Sequence, residues 1–103
     1  MKKQTVFDEN AKKEFNKFSI TIQNKFLGFI EILSNKGKLE FPEARKIDNN
    51  LFEIRVKLKG EFRGFYAYLK INYIILLHFF RKKSQKTPIK NIKTAKRRLK
   101  QYE

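Results

Sequence analysis

The sequence predicts an α+β domain, with helices against one face of a mainly antiparallel sheet. Three observations predict it. Apolar residues recur at helical spacing between Ala11 and Leu33. After Leu51, three consecutive stretches read as strands joined by short turns. A Thr87–Pro88 pair then opens a lysine-rich amphipathic segment. With 103 residues the chain has room for one small core, so residues 1–103 are read as a single domain.

The first element is a short strand over Lys3–Phe7. Asp8 or Asn10 can cap the helix that follows, in which Ala11, Phe15 and Phe18 share a side. Ser19 caps a second helix whose stripe is Ile22, Phe26, Phe29, Ile30 and Leu33, and Gly37 stops it. Two helices packed as a hairpin follow from this. Residues 38–50 are read as a loop around Pro42, ending in a turn at Asp48–Asn50. "LFEIRVKL" alternates, with Phe52, Ile54, Val56 and Leu58 on one face and Glu53, Arg55, Lys57 and Lys59 on the other. Lys59–Gly60–Glu61 turns the chain into "FRGFYAYL", where Arg63 shares a face with Phe65, Ala67 and Leu69. Lys70–Ile71–Asn72 turns it again. "YIILLHFF" is apolar on both faces, the pattern of a strand covered on both sides. Last, Thr87 caps and Pro88 takes the first position of a helix with Ile89, Ile92, Ala95, Leu99 and Tyr102 on one side.

Charge narrows the partners. The net charge is +15, and from Arg81 onward ten basic residues face a single acid, Glu103. Such a field draws polyanions, whether RNA, DNA, an anionic membrane or an acidic protein. With no cysteine, the chain has no disulfide, thiolate metal site or Cys nucleophile, which fits the cytoplasm. "MKKQTVFDEN" lacks the apolar run of a signal peptide, and "YIILLHFF" is too short to cross a bilayer. No His or carboxylate cluster has metal-ligand spacing, and no cofactor is expected.

The polar face around Arg55 and Lys57 is the first candidate site, with Arg63 across the turn and Arg81–Lys83 leaving the last strand nearby. It reads either as a solvated sheet face or as an anion site; only Glu53 and Glu61 supply opposite charge there. His78, the one histidine, is a core residue with satisfied ring nitrogens or a proton carrier. Phe65, Tyr66, Tyr68 and Tyr73 either build the core or stack on bases.

"LFEIRVKLKGEFRGFYAY", followed by "IILLHFFRKKSQKTPIKNIKTAKRRLKQY", resembles the phage-derived Gp49-like, HigB-type branch of the RelE/ParE toxin superfamily. The resemblance covers residues 51–103; the first fifty match in layout. It implies a small RelE-like fold with an N-terminal helical pair and a C-terminal helix packed on the sheet. It implies a type II toxin that enters the ribosomal A site and cuts mRNA there. The implied partners are mRNA on the ribosome and a cognate antitoxin, typically a helix-turn-helix DNA-binding protein, with no membrane. Carried over, Arg55, Arg63 and Lys83 are the catalytic residues, Arg63 being the return-strand arginine that contacts phosphate. Lys57, Lys82, Arg81 and Lys86 are the residues expected to bind RNA. Phe79 departs from the pattern, standing where relatives often have a small residue. No late tyrosine or histidine matches either, since Ile89 and Asn91 sit near that point. Gyrase-targeting members share the fold, and a non-catalytic RNA or ribosome binder would use the same cations.

Overall fold

The computed structural model describes residues 2–40, 42, 44–83 and 88–103. The order is β1 (Gln4–Phe7), α1 (Glu9–Asn16), α2 (Ile20–Lys36), β2 (Ala44–Asp48), β3 (Leu51–Lys57), β4 (Glu61–Leu69), β5 (Tyr73–Lys82) and α3 (Ile89–Lys100). The five strands form one sheet in the order β1-β5-β4-β3-β2. Only β1 runs parallel to its neighbour; the other pairs are antiparallel. The α+β class and the packed helices stand as expected.

Local chemistry sets the helix ends. The Asp8 side chain accepts from the Ala11 amide at 3.0 Å, and Ser19 accepts from Ile22 at 3.3 Å. Gly37 ends α2 in the left-handed region, at φ 80°. Pro88 sits at the N-cap, one place before the first helical residue, and offers no side-chain cap. The Thr87 cap lies outside the described residues.

Two expectations change. Residues 44–48 form an edge strand rather than loop, paired Ala44↔Ile54 and Arg45↔Glu53, with a shift between Lys46 and Asp48. Five residues broken by that irregularity leave too short a run to show an alternation of two. The helices also occupy both faces. Ala11, Phe15, Ile22, Phe26 and Leu33 of the helical pair pack on Ile54, Val56, Tyr66, Ile74 and Leu76. Ala95 and Leu99 of α3 pack on Leu51, Phe65, Ala67, Ile75 and Leu77, the opposite face. This is why β5 is apolar on both sides. Ile89, expected on the buried side of α3, is 65% exposed.

A bulge in β5 decides which cations meet. Phe65 pairs with His78 but Tyr66 pairs with Leu76, so Leu77 is an extra residue. Beyond it the parity of the strand flips. Phe79 then turns to the helical-pair face, opposite Gly64. There it joins the rings of Phe7, Phe15, Phe18 and Phe26, with centroids 5.1–6.4 Å away. A methyl group on Gly64 would stand 2.6 Å from the Phe79 ring. The large residue at 79 is thus accommodated by the missing side chain at 64.

Candidate anion-binding site

Antiparallel register places Arg55 directly opposite Arg63, and Lys57 directly opposite Glu61. On the other side of β4, Glu61 faces Lys82 and Arg63 faces Phe80. Directly paired residues project from the same face. Arg55, Lys57, Arg63 and Lys82 therefore share the α3 side of the sheet, where α3 itself covers the end around Leu51, Ala67 and Ile75. Arg55 and Lys82 are half-buried, and Lys57 is exposed. Lys83 is exposed just past the end of β5.

Arg63 is the buried member. Its side chain is 2% exposed and its Nη1 lies 2.9 Å from Glu53, also 2% exposed. Nη2 donates to Glu61 Oε1 at 2.7 Å. Arg45 Nε donates to the same Glu53 oxygen at 3.1 Å. Two buried charges survive here because each has an opposite charge within ion-pair distance. The Arg63 hydrogen bond holds the Glu61 carboxyl below its ordinary range. Among the described residues, Arg63 Nε is the buried side-chain atom left without a partner.

Arg81 is not brought to this face. It pairs across from Phe62, and its guanidinium lies 5.6 Å from that ring's centroid on the helical-pair side. It donates to the Lys59 carbonyl at 3.3 Å, bracing the β3–β4 turn. The parity flip at Leu77 puts Lys82 toward Arg63 and Arg81 away from it. Lys86 lies outside the described residues.

A second charged network surrounds His78. β1 ends beside Leu76, so the rest of β5 lacks a strand partner on that edge. The Glu14 carboxylate of α1 fills in, accepting from the Phe79 amide at 3.1 Å. Arg98 donates to both Glu14 oxygens at 2.9 Å, a bidentate pair, and to the Leu77 carbonyl at 3.0 Å. Burial alone would raise the Glu14 pKa, but hydrogen bonds from His78, Arg98 and the Phe79 amide outweigh it and hold it at about 2. His78 Nδ1 lies 2.9 Å from Glu14, and Nε2 lies 2.6 Å from the Asn91 side chain. A carboxylate can only accept, so Nδ1 carries the hydrogen there. Tyr102 closes the far end by donating to Asp8 at 2.6 Å. His78 is thus the satisfied core histidine, with neither ring nitrogen free. The one signal in the sequence was the placement of Glu14 between Ala11 and Phe15 on the buried stripe of α1.

Among the described residues, no group of His, Asp or Glu is arranged to hold a metal ion. No described helix is long and apolar enough to cross a membrane. The aromatic candidates divide: Phe65 and Tyr66 are buried, Tyr68 is half-buried and donates to the Gly37 carbonyl at 2.9 Å, and Tyr73 is exposed.

The family model described as phage derived protein Gp49-like matches residues 13–100. No curated protein matches the sequence. Among solved structures, a double-arginine mutant of the E. coli toxin RelE in the free state is similar, with a TM-score of 0.75 at 15% identity. That match covers 96% of this chain and 99% of the other. The toxin-antitoxin complex RelBE2 from Mycobacterium tuberculosis is similar at a TM-score of 0.62 and 14% identity, over 80% of this chain and 100% of that one. The sheet order and helix placement described above are thus those of a RelE-type fold.

Proposed function

The chain belongs to the phage-derived Gp49-like family, and from that premise we propose that it is the toxin of a bacterial type II toxin–antitoxin system. Its activity is endonucleolytic cleavage of mRNA in the ribosomal A site, in the cytoplasm. The observation that carries this reading is the register pair Arg55↔Arg63, flanked by Lys57 and Lys82 on one face.

The chemistry needs no nucleophile from the protein. The 2′-oxygen of the RNA attacks the adjacent phosphorus as its proton leaves to a base. The bond from phosphorus to the 5′-oxygen breaks, and that oxygen takes a proton. Charge builds on the non-bridging oxygens, where guanidinium groups act by charge-assisted hydrogen bonds. Arg55 and Arg63 fill that role, with Lys83 assisting. Lys57, Lys82 and Lys86 hold neighbouring phosphates. Arg81, turned to the other face, supports the β3–β4 turn. The partner is a cognate antitoxin of helix-turn-helix type, and the charge of +15 suits an acidic segment laid over the cations.

Arg55→Ala is the informative variant, because Arg55 has no ion-pair partner among the described residues and its loss leaves the core intact. On induction, the wild-type chain is expected to arrest growth and leave mapped cuts in mRNA. Arg55→Ala is expected to cleave roughly 10²-fold more slowly, as when one transition-state donor is removed. Arrested cells with whole transcripts would sink the nuclease reading.

A further inference from the structure

Two acids sit among the cations of this face: Glu53, which is sealed, and Glu61, which reaches water. Across three strands the row of Glu61 reads Lys57, Glu61, Lys82, and the next row begins Arg55, Arg63. We propose that the Glu61 carboxylate occupies the phosphodiester subsite as an internal substitute, and that an RNA phosphate displaces it to reach Arg63. This rests on the reading of the cationic face as an RNA site.

Three observations carry it. Arg63 is sealed, with 2% of its side chain exposed, so no solvent-borne anion reaches it unless a partner moves. Its two carboxylate partners differ in freedom. Glu53 is sealed as well and also holds Arg45, whereas Glu61 is 40% exposed at the start of β4. Only the Glu61 arm can exchange with water. A shallow concavity lined by Lys57, Leu58, Lys59, Gly60 and Glu61 opens beside it.

The third observation is the bare Arg63 Nε. Nε and Nη2 share one edge of the planar guanidinium, the edge that meets a phosphate with two parallel hydrogen bonds. Glu61 engages only Nη2. A phosphodiester has two free oxygens, and in the place of Glu61 it satisfies both donors. The exchange conserves charge at Arg63, since one monoanion replaces another. It also supplies the bond that the buried Nε lacks. The displaced Glu61 moves into solvent, which its exposure permits.

The test is binding of a 2′-O-methyl single-stranded RNA oligonucleotide, which lacks the attacking hydroxyl, to wild type, Glu61→Gln and Glu31→Gln. Glu31 is an exposed residue of α2, and its variant matches the charge change away from the site. Glu61→Gln is expected to bind about tenfold tighter than Glu31→Gln, since a competing charge-assisted bond is gone. Equal affinity for the two variants overturns the proposal, whether or not the wild type cleaves mRNA. Tighter binding by Glu61→Gln in a chain that leaves mRNA whole keeps the subsite and removes the nuclease. No binding by any of the three overturns both.

Discussion

Two charged networks flank β5, and they are finished differently. At its unpaired edge, Glu14, His78, Arg98 and Asn91 meet with their bonding groups partnered. On the α3 face, Arg63, Glu53, Glu61 and Arg45 meet with Nε bare and Glu61 half in water. The first joins α1 and α3 to a strand that β1 covers only in part. The second adjoins a row of cations. A closed network resists exchange because every member would lose a bond. An open one has a place for an outside anion. On the proposed reading, the contrast teaches that buried charge in this small fold serves assembly at one end and recognition at the other.

The largest effect separates the sealed part of the open network from its exposed part. Arg63→Ala leaves Glu53 buried with only the half-exposed Arg45 beside it. About 3–5 kcal/mol of stability should be lost, the range for breaking a buried pair. Chemical denaturation of Arg63→Ala beside Glu61→Gln measures it, and Glu61→Gln should stay close to wild type because its side chain meets water. Loss of cleavage in Arg63→Ala therefore mixes lost chemistry with lost folding, whereas loss in Arg55→Ala reports the chemistry alone. Equal losses of stability in Arg63→Ala and Glu61→Gln would mean that Glu61 is as structural as Glu53.

A smaller effect reads the closed network through pH. The Glu14 pKa is depressed from 4.5 to about 2 in the folded chain. A depressed carboxylate contributes fully above its unfolded value and loses its contribution as pH falls toward the folded one. Glu14 should thus lend stability above about pH 4.5 that fades toward about pH 2. Discounted for the quarter of the side chain in water, that contribution is on the order of 2 kcal/mol. Wild type and Glu14→Gln compared by denaturation at pH 6 and pH 3 give the test. Their stabilities should converge as the pH drops; a constant gap would show that the network does not depend on the Glu14 charge.

Much of the frame was legible because its causes are local. Asp8, Ser19 and Gly37 act within one turn, and the alternation of residues 51–57 is set by the pleat itself. The face chosen by α3 was not legible, since an amphipathic helix fits either side of a sheet that is apolar on both. Nor was the closed network, whose bonds span 64 and 84 residues of chain. In the candidate site, the shared face of Arg55, Lys57 and Arg63 was legible from a tight turn between two clean strands; a turn at Lys59–Gly60–Glu61 would set Lys57 opposite Arg63, and the turn falls one residue earlier, which sets Arg55 there. The pairing of Arg63 with Glu53 is diagonal across that register and needs coordinates to see. Alternation counted from Tyr73 would put Arg81 toward Arg63. The extra residue at Leu77 reverses this, and an apolar run gives no sign of where a bulge falls.

That reversal gives the smallest and most discriminating prediction. Arg81 and Lys82 are adjacent, both cationic, and their removal changes the net charge equally. If RNA responded only to the field of the whole chain, Arg81→Ala and Lys82→Ala would weaken binding alike. The register instead sends Lys82 to the face of Arg55, Lys57 and Arg63, and Arg81 to the ring of Phe62. A direct phosphate contact carries about one unit of the salt slope, and a distant charge much less. Lys82→Ala should therefore lower the slope for a 2′-O-methyl oligonucleotide by about one, while Arg81→Ala should leave it nearly unchanged. The exposed position of Arg81 keeps the comparison free of folding loss beyond the brace on the Lys59 carbonyl. Equal slopes would place RNA on both faces of the sheet and return the cations to a general polyanion field; a larger effect from Arg81 would move the site to the β3–β4 turn.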